Sequence, residues 1–189
     1  MRRIVRHMGA GKPGMVVNIN HISEEEGLAV HHTYGEGEPH LRGEDSRIVG
    51  RPALDLHATR DGAKVKLVGG VKATVEYACD RCLTAFSTPV DQSFDLLYVP
   101  AVRPASPLEE KELGGDDLST AFYVDDCIDL DDVVREQIEL AMPMSRLCDS
   151  DCRGLCPECG GNLNEQQCDC RVEQTDPRWA ALKEFKSDN

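Results

Sequence analysis

Cysteine spacing constrains the fold of this chain more than any other feature of its 189 residues. Nine residues are cysteine, and five of them fall in the segment 152–170 with the pattern Cys-x3-Cys-x2-Cys-x8-Cys-x-Cys. Another Cys-x-x-Cys pair occurs far upstream. Paired cysteines of this kind are typical ligands of structural zinc, which takes four ligands in a tetrahedron. The residues predicted to bind metal are Cys79, Cys82, Cys148, Cys152, Cys156, Cys159, Cys168 and Cys170.

Eight cysteines suffice for two four-thiolate zinc sites, and two partitions are open. In the first partition, one site is local and contains Cys156, Cys159, Cys168 and Cys170. The other site is then long-range and contains Cys79, Cys82, Cys148 and Cys152. The long-range site stabilises the fold more, because it closes a larger loop. In the second partition, one ion is shared by Cys148, Cys152, Cys156 and Cys159.

Structural zinc is favoured over other uses of these cysteines. In the turn Cys156-Pro-Glu-Cys159-Gly160, backbone N–H groups can point at the sulfur atoms, and glycine supplies the positive φ that a side chain would resist. A redox dithiol requires a Cys-x-x-Cys pair at a helix start in a βαβ context, which neither pair has. The spacings match no common iron–sulfur run, so a cluster is the less favoured alternative. An all-thiolate zinc site has no open position for water, which disfavours catalytic zinc.

Two further candidate ligand groups are weaker. His31 and His32, with two nearby glutamates, lie in the polar segment 23–47. That segment is interpreted as a solvated loop, because it has no cysteine and no ordered ligand spacing. Cys127 lies in an apolar, strand-like context and is predicted to be a buried free thiol.

The chain is strongly acidic, with a formal net charge of −13, and zinc–thiolate sites would make it more negative. Non-specific nucleic-acid binding depends on counterion release by Lys and Arg, so an acidic chain of this kind does not coat RNA or DNA. RNA contact therefore requires a local basic patch, and a basic protein is the other partner class that fits. Aromatic residues make up only 5% of the chain, so the core is aliphatic and modest and benefits from metal ions.

Composition also predicts compartment and domains. No apolar run approaches the length of a membrane span, and residues 1–14 lack the apolar stretch of a signal peptide. Nine cysteines, an odd number, indicate metal ligands in a reducing compartment, so we predict a cytoplasmic protein. We expect a flexible basic N-terminal extension over 1–14 and a β-rich domain with an acidic loop and a helix over 15–145. A cysteine-rich zinc segment with a C-terminal helix is expected over 146–189.

Apolar residues that alternate with period two predict the sheet. The alternation occurs in three successive runs, within 54–58, 63–77 and 86–98, and is typical of an antiparallel meander with one buried face. Gly69-Gly70 interrupts the longest run and predicts a bulge or sharp bend, which would curl a small sheet toward a barrel. The expected fold class is α+β: a β-rich antiparallel meander or small curled barrel, one amphipathic helix and a zinc-stapled, cysteine-rich C-terminal segment.

Helix signals occur at two places. Asp129 is a suitable N-cap for an amphipathic helix that Pro143 ends. A second helix is predicted at Asp176-Pro177, where a capping residue precedes a proline at the first helical position. The segment 109–132 is rich in acidic residues. These residues indicate stabilisation of the helix start, a docking surface for a basic partner, or both.

A local basic patch is predicted on the outward face of the long middle strand. Lys64, Lys66 and Lys72 share the parity opposite to its buried face, and Arg81 lies inside the first Cys-x-x-Cys pair. On an acidic chain, such a cluster is a candidate RNA contact, although edge lysines also serve solubility. No phosphate-binding loop, Gly-x-Ser-x-Gly turn or paired His-x-x-Glu motif occurs. The chain is therefore expected not to be an enzyme and to have no small-molecule substrate.

Several of these motifs together resemble the YceD family, the bacterial and plastid large ribosomal RNA subunit accumulation proteins. The resemblance covers about residues 50–185 and is most specific in the C-terminal part. It implies an association with the synthesis, processing or stability of 23S ribosomal RNA and no enzymatic activity. The matching segments are Cys79-Asp-Arg-Cys82-Leu, Glu139-Leu-Ala-Met-Pro143, Cys152-Arg-Gly-Leu-Cys156-Pro-Glu-Cys159-Gly-Gly-Asn162-Leu-Asn164, Cys168-Asp-Cys170 and Asp176-Pro-Arg178-Trp-Ala-Ala-Leu182.

Residues and resemblance together predict a cytoplasmic, non-catalytic ribosome-biogenesis factor with two zinc ions. The expected partners are 23S ribosomal RNA or its precursor, contacted by Lys64, Lys66, Lys72 and Arg81, and basic large-subunit ribosomal proteins, contacted by segment 109–132. No membrane contact is expected. Two other classes stay open. One is a zinc-ribbon adaptor on RNA polymerase or another protein machine, without direct RNA contact, and the other is a thiol redox sensor that releases zinc on oxidation.

Overall fold

The structure, a computed structural model, describes residues 5–6, 14–43, 45–101 and 120–170. These residues form two compact units: the chain up to Tyr77 with Ala85–Met144, and Ala78–Thr84 with the chain from Ser145 onward. The regular elements are a short 3₁₀ helix (Ile19–His21), strands β1 (Val5–Arg6), β2 (Met15–Asn18), β3 (Leu28–Thr33), β4 (Ser46–Asp61), β5 (Lys64–Ala78), β6 (Ala85–Pro100), β7 (Thr120–Tyr123) and β8 (Cys127–Asp129), and helix α1 (Leu130–Ala141).

The first unit is built on a five-stranded sheet with the order β3-β4-β5-β6-β7. Strands β3, β4 and β5 are antiparallel to their neighbours. Ion pairs join Lys66 to Asp95 and Lys72 to Asp91, so β6 runs antiparallel to β5. Strand β7 pairs in parallel with β6. The predicted meander is confirmed, and the described strands form an open sheet with β3 and β7 at its edges rather than the alternative barrel.

Alternation along the strands produces one buried face, as predicted. Each large aliphatic side chain removed from water contributes about 1.5–3 kcal/mol, so this face supplies much of the stability of the unit. The buried residues of the three long strands are Ile48, Pro52, Leu54, Leu56, Ala58, Val65, Leu67, Val71, Val75, Tyr77, Val90, Phe94 and Tyr98.

No bulge occurs at 69–70 in the pairing of β5 with β4. The register between β4 and β5 is continuous there and shifts instead between Val49 and Ala53 of β4. Two sequence signals mark the true position: Gly50 has a φ of +79°, and Pro52 has no N–H to donate to the ladder. A Cβ on Gly69 would lie 2.3 Å from a backbone oxygen of β4. This glycine therefore permits a close approach of the two strands.

A second sheet, β1-β2-β8, and helix α1 complete the first unit. The Asp129 carboxylate caps α1 as predicted, accepting from the N–H groups of Asp131 at 2.9 Å and Asp132 at 3.2 Å. The helix ends at Ala141, and Met142 is its C-cap, just before Pro143. It packs against β2 and β6. Its buried residues are Leu130, Val133, Val134, Gln137 and Ile138.

Part of the segment interpreted as a loop is a strand. Residues 28–33 form β3, which places His31 and His32 in the sheet. Within the described residues, no helix is long and apolar enough to cross a membrane. The helix predicted at 176–177 and the acidic stretch 109–119 lie outside the described residues. The predicted boundaries after residues 14 and 145 stay a prediction.

The turn between β7 and β8 has an unusual composition. Asp125 and Asp126 have positive φ values of 53° and 56°, and the Cys127 N–H donates to the Val124 carbonyl at 3.1 Å. Two positive φ angles at the central residues are the signature of a type I′ turn, for which Asn-Gly is the favoured pair. Left-handed backbone costs an L-residue about 1–2 kcal/mol, and somewhat less for Asp.

Replacing this pair by Asn-Gly should stabilise the first unit. The double substitution Asp125→Asn with Asp126→Gly relieves the left-handed strain, and we expect the free energy of unfolding to rise by about 1 kcal/mol. Urea unfolding followed by circular dichroism measures this change. The exposed Asp91→Asn serves as a control and should lie within about 0.5 kcal/mol of the parent. A less stable double variant would show that the aspartates carry no such strain.

Candidate metal centres

Eight of the nine cysteine sulfurs lie in two groups of four within the second unit, and the sulfur atoms of each group all lie within 4.8 Å of one another. The first group, called here the long-range centre, contains Cys79, Cys82, Cys148 and Cys152. The second group, the local centre, contains Cys156, Cys159, Cys168 and Cys170. The structure thus brings the sulfurs together as in the first of the two partitions.

Sulfur separations in the long-range centre match the edges of a metal–thiolate tetrahedron. The Sγ atoms of Cys79 and Cys152 are 3.8 Å apart, and those of Cys82 and Cys148 are 3.6 Å apart. Tetrahedral Zn–S bonds of about 2.3 Å place two sulfurs about 3.8 Å apart. A disulfide requires about 2.05 Å. The four thiols are therefore spaced to share one ion rather than to form disulfides.

The two Cys-x-x-Cys turns have the same backbone structure. In each turn the N–H of the first cysteine donates to the carbonyl five residues later, at 2.9 Å from Cys79 and 2.8 Å from Cys156. The N–H four residues later donates back to the cysteine carbonyl, at 2.9 Å and 2.8 Å respectively. The residue after the second cysteine has a positive φ, 59° at Leu83 and 71° at Gly160. Both turns therefore form the same knuckle, whose two cysteines could bind a metal.

Backbone N–H groups favour the ionised form of the first thiol in each knuckle. Hydrogen bonds from the N–H groups of Cys148 and then Cys82 lower the pKa of Cys79 to about 6. The Cys148 nitrogen lies 3.4 Å from the Cys79 sulfur. In the local centre, the N–H groups of Cys159 and then Glu158 lower the pKa of Cys156 to about 7. Each knuckle thus presents a thiolate, the form that binds metal, near neutral pH.

One thiol in each centre resists ionisation because of its neighbours. Hydrogen bonding with the Cys82 side chain raises the pKa of Cys148 to about 12, and hydrogen bonding with the Cys159 side chain raises that of Cys170 to about 12. Like charges this close repel, so a bound cation is needed before all four sulfurs of a centre are thiolates. The donor sets therefore fit a metal ion that prefers four thiolates in a tetrahedron.

The two centres differ in exposure to solvent. Three ligands of the long-range centre are buried, and only Cys148 is exposed. In the local centre only Cys156 is buried, while Cys159 and Cys170 are exposed and Cys168 is intermediate. A chelator or competing thiol therefore reaches the local centre more easily.

Arg81 supports the long-range centre from within its knuckle. Its guanidinium donates to the Cys152 carbonyl at 2.9 Å, and its own carbonyl accepts from the Leu155 N–H at 3.2 Å. A Cβ on Gly154 would lie 3.1 Å from that carbonyl, so glycine allows the close approach. The side chain predicted to contact RNA thus has a structural role in the knuckle.

Two asparagines that sequence reasoning missed also support this centre. Asn164 Nδ2 donates to the Cys152 sulfur at 3.3 Å, and Asn164 Oδ1 accepts from the Arg153 N–H at 2.8 Å. Asn162 Oδ1 accepts from the Asn164 N–H at 3.0 Å, and Asn162 Nδ2 donates to Thr84 Oγ1 at 3.3 Å. Their signal in the sequence is the run Asn-Leu-Asn directly after the second knuckle. Such outer contacts orient the ligands of a metal.

Comparison with known proteins identifies the family of this chain. The sequence model of the family described as large ribosomal RNA subunit accumulation protein YceD matches residues 67–186. The chain belongs to the YceD family. An uncharacterized protein of Mycobacterium tuberculosis is 35% identical over 133 residues, covering 70% of this chain and 60% of that protein. The chloroplastic large ribosomal RNA subunit accumulation protein YCED homolog 1 of Arabidopsis thaliana is 28% identical over 156 residues, covering 68% of this chain and 46% of that protein.

The family match confirms the resemblance predicted from the motifs. It includes all eight ligands of the two centres and begins within β5, so the first four strands lie outside it. The chain spans 60% of the length of the mycobacterial relative and 46% of the plant protein. No solved structure matches this YceD-family chain.

The predicted basic patch has mixed charge in the structure. Lys64, Lys66 and Lys72 are exposed on the outward face of β5, as the alternation predicts. However, Lys66 Nζ lies 3.0 Å from an Asp95 carboxylate oxygen, and Lys72 Nζ lies 3.4 Å from one of Asp91. Exposed ion pairs contribute only about 0–1 kcal/mol, so a phosphate can replace either carboxylate at little cost.

The remaining candidate ligands do not assemble into a further centre in the described part of the chain. His31 pairs with Asp55 of the neighbouring strand, and His32 contacts the Tyr34 ring edge-on. Cys127 is half-buried in β8, where its sulfur lies 3.7 Å from the Asn18 amide nitrogen. It therefore stays a free thiol, although it is less buried than predicted.

Metal should leave the two centres in separate phases. The exposed local centre should lose its ion to a chromophoric chelator first, and Cys156→Ser should remove that fast phase and one bound ion. Asn164→Ala should accelerate the slow phase about tenfold, because it removes a hydrogen bond to a ligand sulfur of the long-range centre.

Stopped-flow absorbance measures the phases, and native mass spectrometry counts the ions. Gln167→Ala, an exposed change in the same segment, is the control and should release metal like the parent. A single phase with equal amplitude in the parent and Cys156→Ser would contradict the difference between the centres.

Proposed function

We propose that this protein is a cytosolic, non-catalytic factor that promotes the accumulation of 23S ribosomal RNA, through its synthesis, processing or stability. The observation that carries the proposal is membership of a family named for large ribosomal RNA subunit accumulation. The plant homologue that bears this name is chloroplastic, which associates it with another compartment that contains ribosomes. The ligand sets support a structural rather than a catalytic role, because four cysteines saturate each metal.

We infer that both centres hold zinc. Zinc is the common ion of tetrahedral four-cysteine sites, and the 3.8 and 3.6 Å sulfur separations agree with its bond length. Its role is to hold the thiolates together and so to join residues 78–84 to the segment from 145 onward. Backbone and asparagine N–H groups stabilise the thiolate sulfurs, which positions the ligands before the ion binds.

RNA contact is assigned to the outward face of β5. Lys64, Lys66 and Lys72 project there, and the ion pairs of two of them are exposed and weak. Arg81 stays a candidate because its guanidinium has five N–H donors, and the bond to the Cys152 carbonyl uses one of its nitrogens. Basic large-subunit ribosomal proteins are the expected protein partners, because the chain has a net charge of −13.

Cells that lack this protein should have a lowered ratio of 23S to 16S ribosomal RNA. The parent gene should restore the ratio, while the double variant Cys79→Ser with Cys82→Ser should not, because it removes two ligands of the long-range centre. Quantitative northern blotting measures the ratio. Cys127→Ser, a cysteine outside both centres, should restore it as the parent does. An unchanged ratio in cells without the protein would refute the proposed function.

The triple variant Lys64→Gln, Lys66→Gln and Lys72→Gln should bind 23S precursor fragments more weakly. Each lysine that no longer neutralises a phosphate reduces the salt dependence of binding. The negative slope of log K against log salt should therefore become shallower by up to about three. Filter binding over a salt series measures both quantities. Arg42→Gln, an exposed cation outside β5, is the matched control. Binding by the triple variant that equals the parent would exclude this face as the RNA contact.

A zinc-ribbon adaptor on RNA polymerase or another protein machine is the second candidate. The mixed charge of the β5 face favours it, because carboxylates on β6 already partner two of the three lysines. Crosslinking in cells separates the two candidates. Recovery of polymerase subunits without ribosomal RNA or ribosomal proteins would support the adaptor, and enrichment of a defined 23S segment would support direct RNA contact.

A further inference from the structure

Two large apolar side chains are exposed together at one edge of the five-stranded sheet. Phe122 and Val124 are 66% and 62% exposed, at the end of β7 and directly after it. Strand β7 is the last strand of the sheet in the described residues. Edge strands of soluble proteins usually carry charged residues or proline, because an apolar edge invites another chain to pair with it. An exposed phenylalanine at this position therefore indicates an interaction surface.

Backbone hydrogen bonds show which sides of β7 are already occupied. The Tyr123 carbonyl accepts a hydrogen bond from the Ala101 N–H at 2.9 Å, so Tyr123 directs its backbone groups toward β6. Successive residues of a strand direct their N–H and carbonyl groups to opposite sides. The backbone groups of Phe122 therefore point away from β6, to the side on which the Val124 carbonyl accepts from the Cys127 N–H and β8 begins. The exposed side chains of this edge, rather than its backbone, are available to a partner.

Charge at this edge differs from charge on the face of the sheet. On the face, Asp91, Asp95 and Glu76 each pair with a lysine or arginine of a neighbouring strand. In the β7–β8 turn, Asp126 accepts from the neutral Asn20 amide at 3.2 Å. Neither Asp125 nor Asp126 has a cation partner among the described residues. The apolar pair is thus bordered by negative charge that no cation of the described ranges pairs with.

We propose that the β7 edge site, formed by Phe122, Val124, Asp125 and Asp126, binds a basic, extended segment of another protein. The segment places an apolar side chain against Phe122 and Val124 and pairs lysine or arginine with the two aspartates. RNA does not fit this site, because its phosphates would face the aspartates. The identity of the partner rests on the proposed function, which makes basic large-subunit ribosomal proteins the first class to test.

Synthetic peptides that cover the Lys- and Arg-rich tails of large-subunit ribosomal proteins are the probe, and fluorescence anisotropy with the zinc-loaded full chain is the measurement. We expect a tail peptide to bind, and both Phe122→Ser with Val124→Ser and Asp125→Asn with Asp126→Gly to weaken it about tenfold or more. The aspartate variant introduces Asn-Gly, the pair that a type I′ turn prefers, so a loss of binding reports the loss of charge rather than misfolding. Val68→Ser, another exposed valine on the sheet, is the control and should bind like the parent.

Photocrosslinking in cells locates the contact independently. A photoreactive phenylalanine analogue at position 122 should crosslink to a basic segment of a ribosomal protein, and the same analogue at position 68 should not. Crosslinks from position 122 to RNA or to a second copy of this chain would overturn the proposal, and so would equal peptide binding by all four proteins. The ratio of 23S to 16S ribosomal RNA tests the proposed function separately, since it is measured in cells that lack the protein altogether.

Discussion

Crowding of sulfur atoms is the constraint on which the second unit depends. Among its described residues, the buried side chains in the core are four cysteines, Cys79, Cys82, Cys152 and Cys156, whereas the hydrophobic cluster lies in the first unit. A unit without an aliphatic core has little hydrophobic free energy to offset the loss of chain entropy. Binding of structural zinc provides about 10–16 kcal/mol in small zinc domains. Zinc at the two proposed centres would therefore couple metal binding to the folding of the described part of this unit, whereas the first unit has an aliphatic sheet.

Sequence patterns predicted the elements that depend on local chemistry. Period-two alternation identified the buried face of the long strands, and Asp129 identified the start of α1, because both signals lie within a few residues of the structure they specify. The bulge was misplaced, because Gly69 serves a contact with another strand that the sequence does not show. The signal in 49–53 was a glycine and a proline inside an otherwise regular strand. β3 was missed for a similar reason, since its histidines look polar and only pairing with β4 makes them part of a sheet.

The eight cysteines of the two centres could be identified from spacing, but their partition could not. Both partitions use Cys-x-x-Cys pairs, and only the folded chain shows which sulfurs meet. The two knuckles are alike in backbone and differ in what they join, since one binds cysteines from distant sequence and the other closes on itself. Leu83 stands where the second knuckle has Gly160, and both have positive φ. The backbone of the knuckle is thus set by its hydrogen bonds and ligands rather than by glycine alone. The hydrogen bonds of Arg81 and Asn164 to Cys152 could not be predicted either, because only folding brings these side chains to that cysteine.

Electrostatics links the two surfaces proposed on the first unit. A chain with a net charge of −13 repels RNA at long range, but salt screens charges over about 8 Å at physiological ionic strength. The charges close to the lysines therefore determine whether RNA binds there. Tyr123 of β7 donates from its hydroxyl to the Ala63 carbonyl at 2.9 Å, next in sequence to Lys64. The unbalanced aspartates of the β7–β8 turn begin two residues after Tyr123 in the chain. A basic segment bound at the β7 edge would neutralise these aspartates and lower the repulsion at this end of the lysine face. Binding of a basic protein and binding of RNA would then favour each other, although the protein itself is acidic.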